Sequence, residues 1–317
     1  MKDDEVDPND LAFVRLVADT MAHAAKEVLL LAQLEQTFDP QPANITGTED
    51  QVRALEQQAT RLVAALGGRP RLMVVVQDRP KPRYDTYAAA AVDEAITMFH
   101  RARATVCRAH LHFIAGGVIE RTPDLLTWPS DERITAIMQR MATSQFWERA
   151  ESAYVKLASL WDRLGQLLDS AFFGIRQYER DGFPSVMDRI YANHLPVHTE
   201  LRESSAWVAV RAYQTSEKPD GLKWLLRRRN LIIHSIHLRP SPAGLGNDPL
   251  FEGAYNHLEE SHRRRLAPGS RDDEIKWLHS HLSTAATLFT EVLSLCEFGP
   301  ICRVGCQIIP KDGLTKQ

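Results

Sequence analysis

The chain has 317 residues, of which 44% are hydrophobic and 25% charged, and its formal net charge is -3. This length allows one large or two modest domains, and the composition is that of an ordinary globular protein rather than a disordered one. The net charge excludes a generally basic surface that would coat nucleic acid, but it leaves a local basic patch open.

The beginning of the chain predicts no targeting segment. Residues 1–5 are largely acidic and no apolar core follows them, which is the opposite of a signal peptide. No uncharged apolar run approaches the roughly 20 residues that are needed to span a bilayer. The sequence therefore predicts a cytoplasmic protein without a membrane partner.

Apolar residues recur at three- and four-residue steps along most of the chain, which is the pattern of amphipathic helices. Separated by Pro, Gly and capping residues, the predicted helices cover 10–36, 48–66, 84–119, a short helix from 130, 143–178, 185–193, 200–215, 220–238 and 272–297. The β-branched segment 71–77 is predicted to form a short strand, with 306–309 as its only evident partner. Residues 239–269, rich in Pro, Gly and Ser, are predicted to be a surface excursion.

These elements predict an all-α fold with one internal boundary, in the Pro-containing connector of residues 120–142. The predicted division is a helical amino-terminal region over 1–140, a helical bundle over 141–300 and a tail over 301–317.

A basic island lies late in the chain, since residues 221–247 contain no acidic side chain. Its basic residues are Lys223, Arg227, Arg228, Arg229, His234, His237 and Arg239. Such islands attract phosphate-bearing ligands and are a common footprint of nucleic-acid binding. An Arg run by itself is better explained as a solvated helix face, so a functional interpretation depends on the Asn and His residues within the island.

Asn230 and His234 lie one helical turn apart on one face, so the amide can orient the imidazole. Arg229 lies about 140° around the helix from His234, and its long side chain can reach the same groove. Histidine moves protons near neutral pH, and a guanidinium holds phosphate and offsets transition-state charge. No divalent metal is needed if the 2′-OH of RNA is the nucleophile, which predicts cleavage of RNA and not of DNA.

The pattern Arg229-Asn230-x-x-x-His234 resembles the Arg-(4 to 6 residues)-His signature of the HEPN superfamily, most closely its Arg-Asn-x-x-x-His form. Residues 154–165 also resemble the first long helix of some HEPN proteins. The resemblance covers residues 143–298 and leaves the first 140 residues unaddressed. It implies an HEPN-like antiparallel helical bundle that dimerises and joins two copies of the motif in a shared cleft.

Many HEPN proteins are metal-independent endoribonucleases in toxin–antitoxin, abortive-infection and CRISPR-linked systems. The resemblance implies a toxin or defence effector that cleaves RNA as a homodimer, without cofactor or metal, and that can have an antitoxin or defence-system partner. Arg229 would contact the scissile phosphate, His234 would be the general acid/base, Asn230 would orient them, and Asp162 would pair with the motif Arg. The residues predicted to bind substrate are Lys223, Arg227, Arg228 and His237.

Two alternatives stay open. The bundle could bind RNA or a partner protein through the same island without catalysis, or it could serve only as a dimerisation scaffold. In the scaffold case the motif should be buried away from the subunit interface.

No group of residues in the sequence predicts a metal site. The pairs His110-x-His112 and His279-x-His281 diverge by about 200° on a helix, and Glu259-x-x-His262 lacks the second copy that a di-iron site needs. Three cysteines near the end have spacings that fit no common zinc pattern and are interpreted as partly buried thiols. They are Cys296, Cys302 and Cys306.

Overall fold

The computed structural model describes residues 9, 11–22, 54, 56–62, 64, 84–121, 132–173, 182–234, 238 and 268–305. Across these residues the assigned elements are α-helices and no strand occurs, which confirms the all-α fold class for this part of the chain. The predicted strand 71–77, its partner 306–309 and most of the predicted excursion 239–269 lie outside the described residues.

The chain divides into two compact units, residues 1–45 and 46–317. In the first unit residues 11–22 are helical, as the sequence predicts, and the remainder of the predicted helix 10–36 lies outside the described residues. This helix exposes several large apolar side chains: Leu11, Phe13, Val14, Leu16, Val17 and Met21.

Within the described residues of the second unit, seven helices have defined bounds. They are α1 (Tyr84–Arg121), α2 (Glu132–Phe172), α3 (Phe183–Asn193), α4 (Thr199–Glu203), α5 (Ser205–Thr215), α6 (Leu222–His234) and α7 (Arg271–Gly305). The described residues between 54 and 64 are helical as well, and two of them, Ala59 and Leu62, are buried in the hydrophobic core of this unit.

Helix α2 corrects the prediction of two helices separated near residue 143. The helix runs unbroken from Glu132 to Phe172 because residues 132–164 contain neither Pro nor Gly to end it. Thr143 and Ser144 lie inside the helix instead of capping a new one. Residue 140, where the predicted domains meet, therefore lies inside a continuous helix.

Capping residues also change the elements that follow. Gly182 and Pro184, predicted to end the preceding helix, stand at the N-cap and in the first turn of α3. The single predicted helix 200–215 is two helices, because Ser204 has extended backbone angles and its hydroxyl accepts a hydrogen bond from the Trp207 N–H at 3.2 Å. Ser204 thus ends α4 and caps α5.

Helix α7 begins with reciprocal hydrogen bonds between Ser270 and Asp273. The Ser270 hydroxyl donates to the Asp273 carboxylate at 2.7 Å and accepts from the Asp273 N–H at 3.1 Å. The helix continues through Pro300 to Gly305, past the predicted end at residue 297.

Helix α1 runs antiparallel to α2, as two contacts at different heights show. The rings of Phe113 and Phe146 lie 6.0 Å apart, and Arg163 makes an ion pair with Glu94 at 3.4 Å. As the residue number falls along α1 it rises along α2, so the two helices point in opposite directions.

Helices α2 and α7 run in the same direction. Tyr154 contacts Glu274 at 2.6 Å, and Ala171 lies against Gly299, where a Cβ would overlap the Ala171 carbonyl oxygen. Residue numbers therefore rise together along both helices, and Gly299 permits their close approach. This pair therefore departs from the antiparallel arrangement that is predicted for residues 141–300.

One helix among the described residues, α7, has a stretch long and apolar enough by composition to cross a membrane. Half of that stretch is buried within the protein, and a core helix of a bundle passes the same test. The cytoplasmic location stays a prediction.

Candidate functional site

Helix α6 carries the predicted site and has two chemically distinct faces. The buried face is Leu222, Trp224, Leu225, Arg228 and Leu231. These positions follow the three- and four-residue steps of a helix that packs against a core. Asn230, Ile233 and His234 are exposed, and Arg229 is half-buried between the two faces.

Arg228 lies in the core, which corrects its prediction as a substrate-binding residue. Its side chain is 0% exposed and forms an ion pair with Glu274, which is likewise fully buried. The Tyr154 hydroxyl donates to Glu274 at 2.6 Å, and the Gly269 N–H donates to the same carboxylate at 2.8 Å. Burial and then the Glu274 charge raise the pKa of Tyr154, so the phenol keeps its proton and donates.

Aromatic rings complete the environment of Arg228. Its guanidinium carbon lies 5.3 Å from the centre of the Trp224 ring and 5.6 Å from that of Tyr154. A desolvated guanidinium that is paired with a carboxylate and enclosed by rings holds α6 against α2 and α7. It is not available to a phosphate in solvent.

Lys223 and Arg227 share an acidic partner that precedes the basic island. Glu217 contacts the Lys223 ammonium at 3.4 Å and the Arg227 guanidinium at 3.5 Å. The hydrogen bond from Lys223 and the charge of Arg227 lower the pKa of Glu217, which keeps it ionised. The positive charge of this end of α6 is therefore partly compensated, although the sequence window 221–247 contains no carboxylate.

The motif residues lie towards the carboxyl end of α6. The Arg229 guanidinium donates to the Asn230 side-chain oxygen at 2.9 Å. Within the described residues no hydrogen bond joins Asn230 to His234, so the amide orients the guanidinium rather than the imidazole. The structure brings Arg229 and Asn230 together and leaves His234 one turn further along, exposed to solvent.

Asp162 on α2 lies within electrostatic range of Arg229. Burial raises the pKa of Asp162, and the charges of Arg229 and then Arg163 act against that rise. Arg163 is itself engaged by Glu94 at 3.4 Å and by Gln166 at 3.1 Å. No direct ion pair between Asp162 and Arg229 is formed in the part of the chain that the structure describes, so their interaction is through space.

Several residues that the sequence singles out lie outside the described residues, among them His237 of the substrate-binding set, Arg239 of the basic island and Cys306 of the cysteine group. The nearest described residue after α6 is Leu238, whose backbone N–H donates to the Glu151 side chain on α2. This contact ties the chain that leaves α6 to the same long helix that carries Asp162.

Sequence reasoning missed a histidine pair between α1 and α7. His110 Nδ1 lies 2.9 Å from His279 Nε2, and the two ring centres are 4.6 Å apart. Burial lowers the pKa of His110, and burial together with the His110 charge lowers the pKa of His279 to about 4. In the sequence each of these histidines stands two residues from another histidine, whereas its partner in the structure is on another helix.

A second missed histidine supports the buried face of α6. His281 Nδ1 lies 3.1 Å from the Tyr213 hydroxyl, and the His281 ring stacks on Trp224 at 5.7 Å. Burial lowers the pKa of His281 to about 4, so the ring is neutral at physiological pH.

Comparison with protein-family models, curated proteins and solved structures found no match to this chain.

Proposed function

We propose that this chain is a metal-independent endoribonuclease of HEPN type that acts as a homodimer, with Arg229, Asn230 and His234 of each subunit at a shared cleft. The proposal includes its role as a toxin or defence effector. One observation carries it: Arg229 and Asn230 are hydrogen-bonded at 2.9 Å beside an exposed His234, while the adjacent Arg228 is held in the core.

The different positions of Arg228 and Arg229 support the proposal, because α6 is held in place without contacts from the motif residues. The core contacts of Arg228 hold α6 in place, so Arg229 and His234 need not contribute to packing. A guanidinium whose rotamer is restrained by an amide, with a carboxylate in electrostatic range, is pre-organised for phosphate recognition. Exposed imidazole on the same helix is accessible to a ribose hydroxyl or to a leaving oxygen.

The proposed reaction is an internal transfer within RNA. The 2′-oxygen forms a bond to the adjacent phosphorus while the bond from phosphorus to the 5′-oxygen breaks, which leaves a 2′,3′-cyclic phosphate and a 5′-hydroxyl. One imidazole accepts the 2′-OH proton and the other, from the second subunit, delivers a proton to the 5′-oxygen. Arg229 offsets the charge that develops on the phosphate.

Incubation of the purified protein with mixed single-stranded RNA, with and without EDTA, tests the proposal on a denaturing gel. We expect cleavage in both conditions, with loss of about 100-fold or more for His234→Ala and for Arg229→Ala. Both variants should keep the circular dichroism and oligomeric state of the wild type. DNA of the same sequence should stay intact because it lacks the 2′-OH.

Matched controls separate chemistry from loss of charge. Arg202→Ala removes one exposed guanidinium from α4, outside the basic island, and His100→Ala removes an exposed imidazole from α1. Both should cleave within about three-fold of the wild type, since surface substitutions usually have small effects. Equal losses in Arg202→Ala and Arg229→Ala would reduce the role of Arg229 to general electrostatics.

A second candidate is a non-catalytic bundle that binds RNA or a protein partner through α6. Within the described residues the Asn230 side chain is bonded to Arg229 and not to His234, which favours this candidate, because an imidazole that the amide does not orient is less suited to proton transfer. In this case wild type would leave RNA intact, and His234→Ala would bind its ligand as wild type does. Gel-shift assays run beside the cleavage assay distinguish the two functions.

A further inference from the structure

Three ligand-type side chains from separate elements converge near the end of α7. The ligand atoms of His194, His198 and Cys302 all lie within 4.8 Å of one another. His194 directly follows α3, His198 directly precedes α4, and Cys302 is in the last turns of α7. The histidines precede the cysteine by more than 100 residues in the sequence, which is why spacing alone did not reveal the group.

The two histidines are fixed by a tight turn. The His194 N–H donates to the Ile190 carbonyl at 2.9 Å, and the His198 N–H donates to the His194 carbonyl at 2.9 Å. Leu195 between them is buried in the core. Although His198 occupies the N-cap position of α4, its side chain makes no capping hydrogen bond, so the imidazole is not committed to the helix end.

The surroundings of the group suit a metal ion that is shielded on one side. His194 is 3% exposed and Cys302 1% exposed, and the rings of Phe172 and Phe173 lie 5.5 and 5.2 Å from that of His194. His198 is only half-buried, so the group opens to solvent on its side. The apolar residues exclude water from one side of the coordination shell, and the solvent-facing side gives a metal ion a path of entry.

A nearby cation is already compensated. The Arg189 guanidinium lies 4.0 Å over the Phe173 ring and pairs with Asp169 at 3.1 Å. Its charge is thus balanced by a carboxylate on α2, and it does not oppose a positive ion at the group as an isolated guanidinium would.

We propose that His194, His198 and Cys302 bind one zinc ion, with water at the fourth position on the solvent side. Imidazole nitrogen and thiolate sulfur are both ligand types that zinc takes in proteins. In a tetrahedral site the ligand atoms stand roughly 3.3–3.6 Å apart, so small side-chain rotations close the present group around an ion. The zinc–sulfur bond forms as the thiol proton leaves to solvent.

Such an ion would join the turn between α3 and α4 to the carboxyl end of α7. The site is separate from the residues of α6 that carry the proposed ribonuclease function, and it requires neither RNA nor a second subunit. Zinc content therefore tests this proposal independently of cleavage.

Elemental analysis of the full-length protein, purified without chelator and dialysed, measures bound zinc directly. We expect about one zinc per chain, and replacement by cobalt should give a thiolate-to-cobalt absorption band in the near ultraviolet. Cys302→Ser and His198→Ala should each bind zinc more than about 100-fold more weakly, because the loss of outer-shell partners alone costs 10–100-fold.

Matched variants serve as controls for these losses. Cys296→Ser replaces another buried thiol of α7 outside the group, and His234→Ala removes an exposed histidine of α6. Both should keep one zinc and the cobalt band. His234→Ala would then lose RNA cleavage but keep zinc, whereas His198→Ala would lose zinc but keep RNA cleavage.

Two results would overturn the proposal. One is a wild type that takes up no zinc or cobalt when they are added in excess. The other is an unchanged zinc content in both Cys302→Ser and His198→Ala, which would identify an adventitious ion. If Cys302→Ser fails to fold, His198→Ala and the wild-type cobalt spectrum decide, because His198 is half-exposed and its replacement leaves the core intact.

Discussion

The buried and exposed faces of α6 differ most clearly at two adjacent arginines. Arg228 is enclosed by Glu274, Tyr154 and Trp224, while Arg229 lies at the edge of the core with Asn230 as its hydrogen-bond partner. Successive residues of a helix point about 100° apart, so one step along the chain moves a guanidinium from a structural ion pair to an accessible surface.

This contrast shows that a run of like charges is not one functional unit. Two carboxylates from outside the run, Glu217 and Glu274, pair with three of its cations. Only a residue on the accessible side of the helix can meet a ligand, and only the core-facing one can hold the helix. Substitutions on the two sides of the helix should therefore have different effects.

The largest effect should come from breaking the buried pair. Arg228→Met leaves the Glu274 carboxylate buried without its cation, so we expect a loss of about 3–5 kcal/mol in the free energy of unfolding. Urea denaturation followed by circular dichroism measures it. Arg229→Met should change stability by less than about 0.5 kcal/mol.

The double variant Arg228→Met with Glu274→Leu sharpens this test. Replacement of both charges by apolar side chains of similar size should recover much of the loss, since no buried charge is left unpaired. If Arg229→Met were as destabilising as Arg228→Met, the distinction between the two faces would be wrong.

Lowering the pH should destabilise the fold through His281, whose ring stacks on Trp224 of the buried face of α6. Its pKa is about 4 in the folded protein, against 6.5 for the ordinary side chain. Between these values the unfolded chain binds a proton that the folded protein excludes, so stability falls as the pH drops from 6.5 to 4. The contribution is about 3 kcal/mol by linkage.

Unfolding free energies at pH 7 and pH 4.5 measure this slope. His281→Gln should have a shallower acid dependence than wild type, since it removes the titrating ring. Tyr213→Phe keeps His281 and should keep most of the slope, although it loses the hydrogen bond at 3.1 Å. Identical slopes in wild type and His281→Gln would contradict the assignment.

A moderate effect on RNA cleavage is expected from Asp162, which lies on α2 within electrostatic range of Arg229. Asp162→Asn removes a carboxylate whose pKa is raised by burial and which acts on Arg229 through space. We expect RNA cleavage to fall about ten-fold through poorer positioning of Arg229, while thermal stability stays level or rises because a partly desolvated charge is lost. A parallel fall in stability and cleavage would indicate a structural role alone.

The smallest effect should follow Glu217→Gln on the exposed side. The change releases Lys223 and Arg227 from their shared carboxylate and leaves the melting temperature unchanged. Single-stranded RNA should bind a few-fold more tightly at low salt, with a log–log salt slope steeper by about 0.7 for each new phosphate contact. Unchanged affinity and slope would show that RNA does not approach this end of α6.

The limits of sequence prediction follow from local chemistry. Helix α1 is predicted over 84–119 and forms over Tyr84–Arg121, because this range contains no proline to end it. The division of α2 near residue 143 was wrong because Thr and Ser are tolerated inside a helix as well as at its start. The split at Ser204 was missed because a serine caps a helix only if its backbone is extended, which the sequence does not display.

The candidate site shows the same limits. Spacing placed Arg229, Asn230 and His234 on one helix, which is the part of the site that the helical period specifies. The helical period also places Arg228 about 100° around the helix from Arg229. It does not indicate which of the two side chains faces the core. That depended on Glu274 and Tyr154, which lie 46 and 74 positions from Arg228 in the sequence.

Periodicity and the distribution of helix-breaking residues are sufficient to predict the all-α class of the described residues and to place the motif on a helix. They do not indicate which charges are paired, which histidines meet, or that α2 and α7 run in the same direction. These properties depend on residues far apart in the chain, whose approach is set by packing. The convergence of His194, His198 and Cys302 is of this second kind.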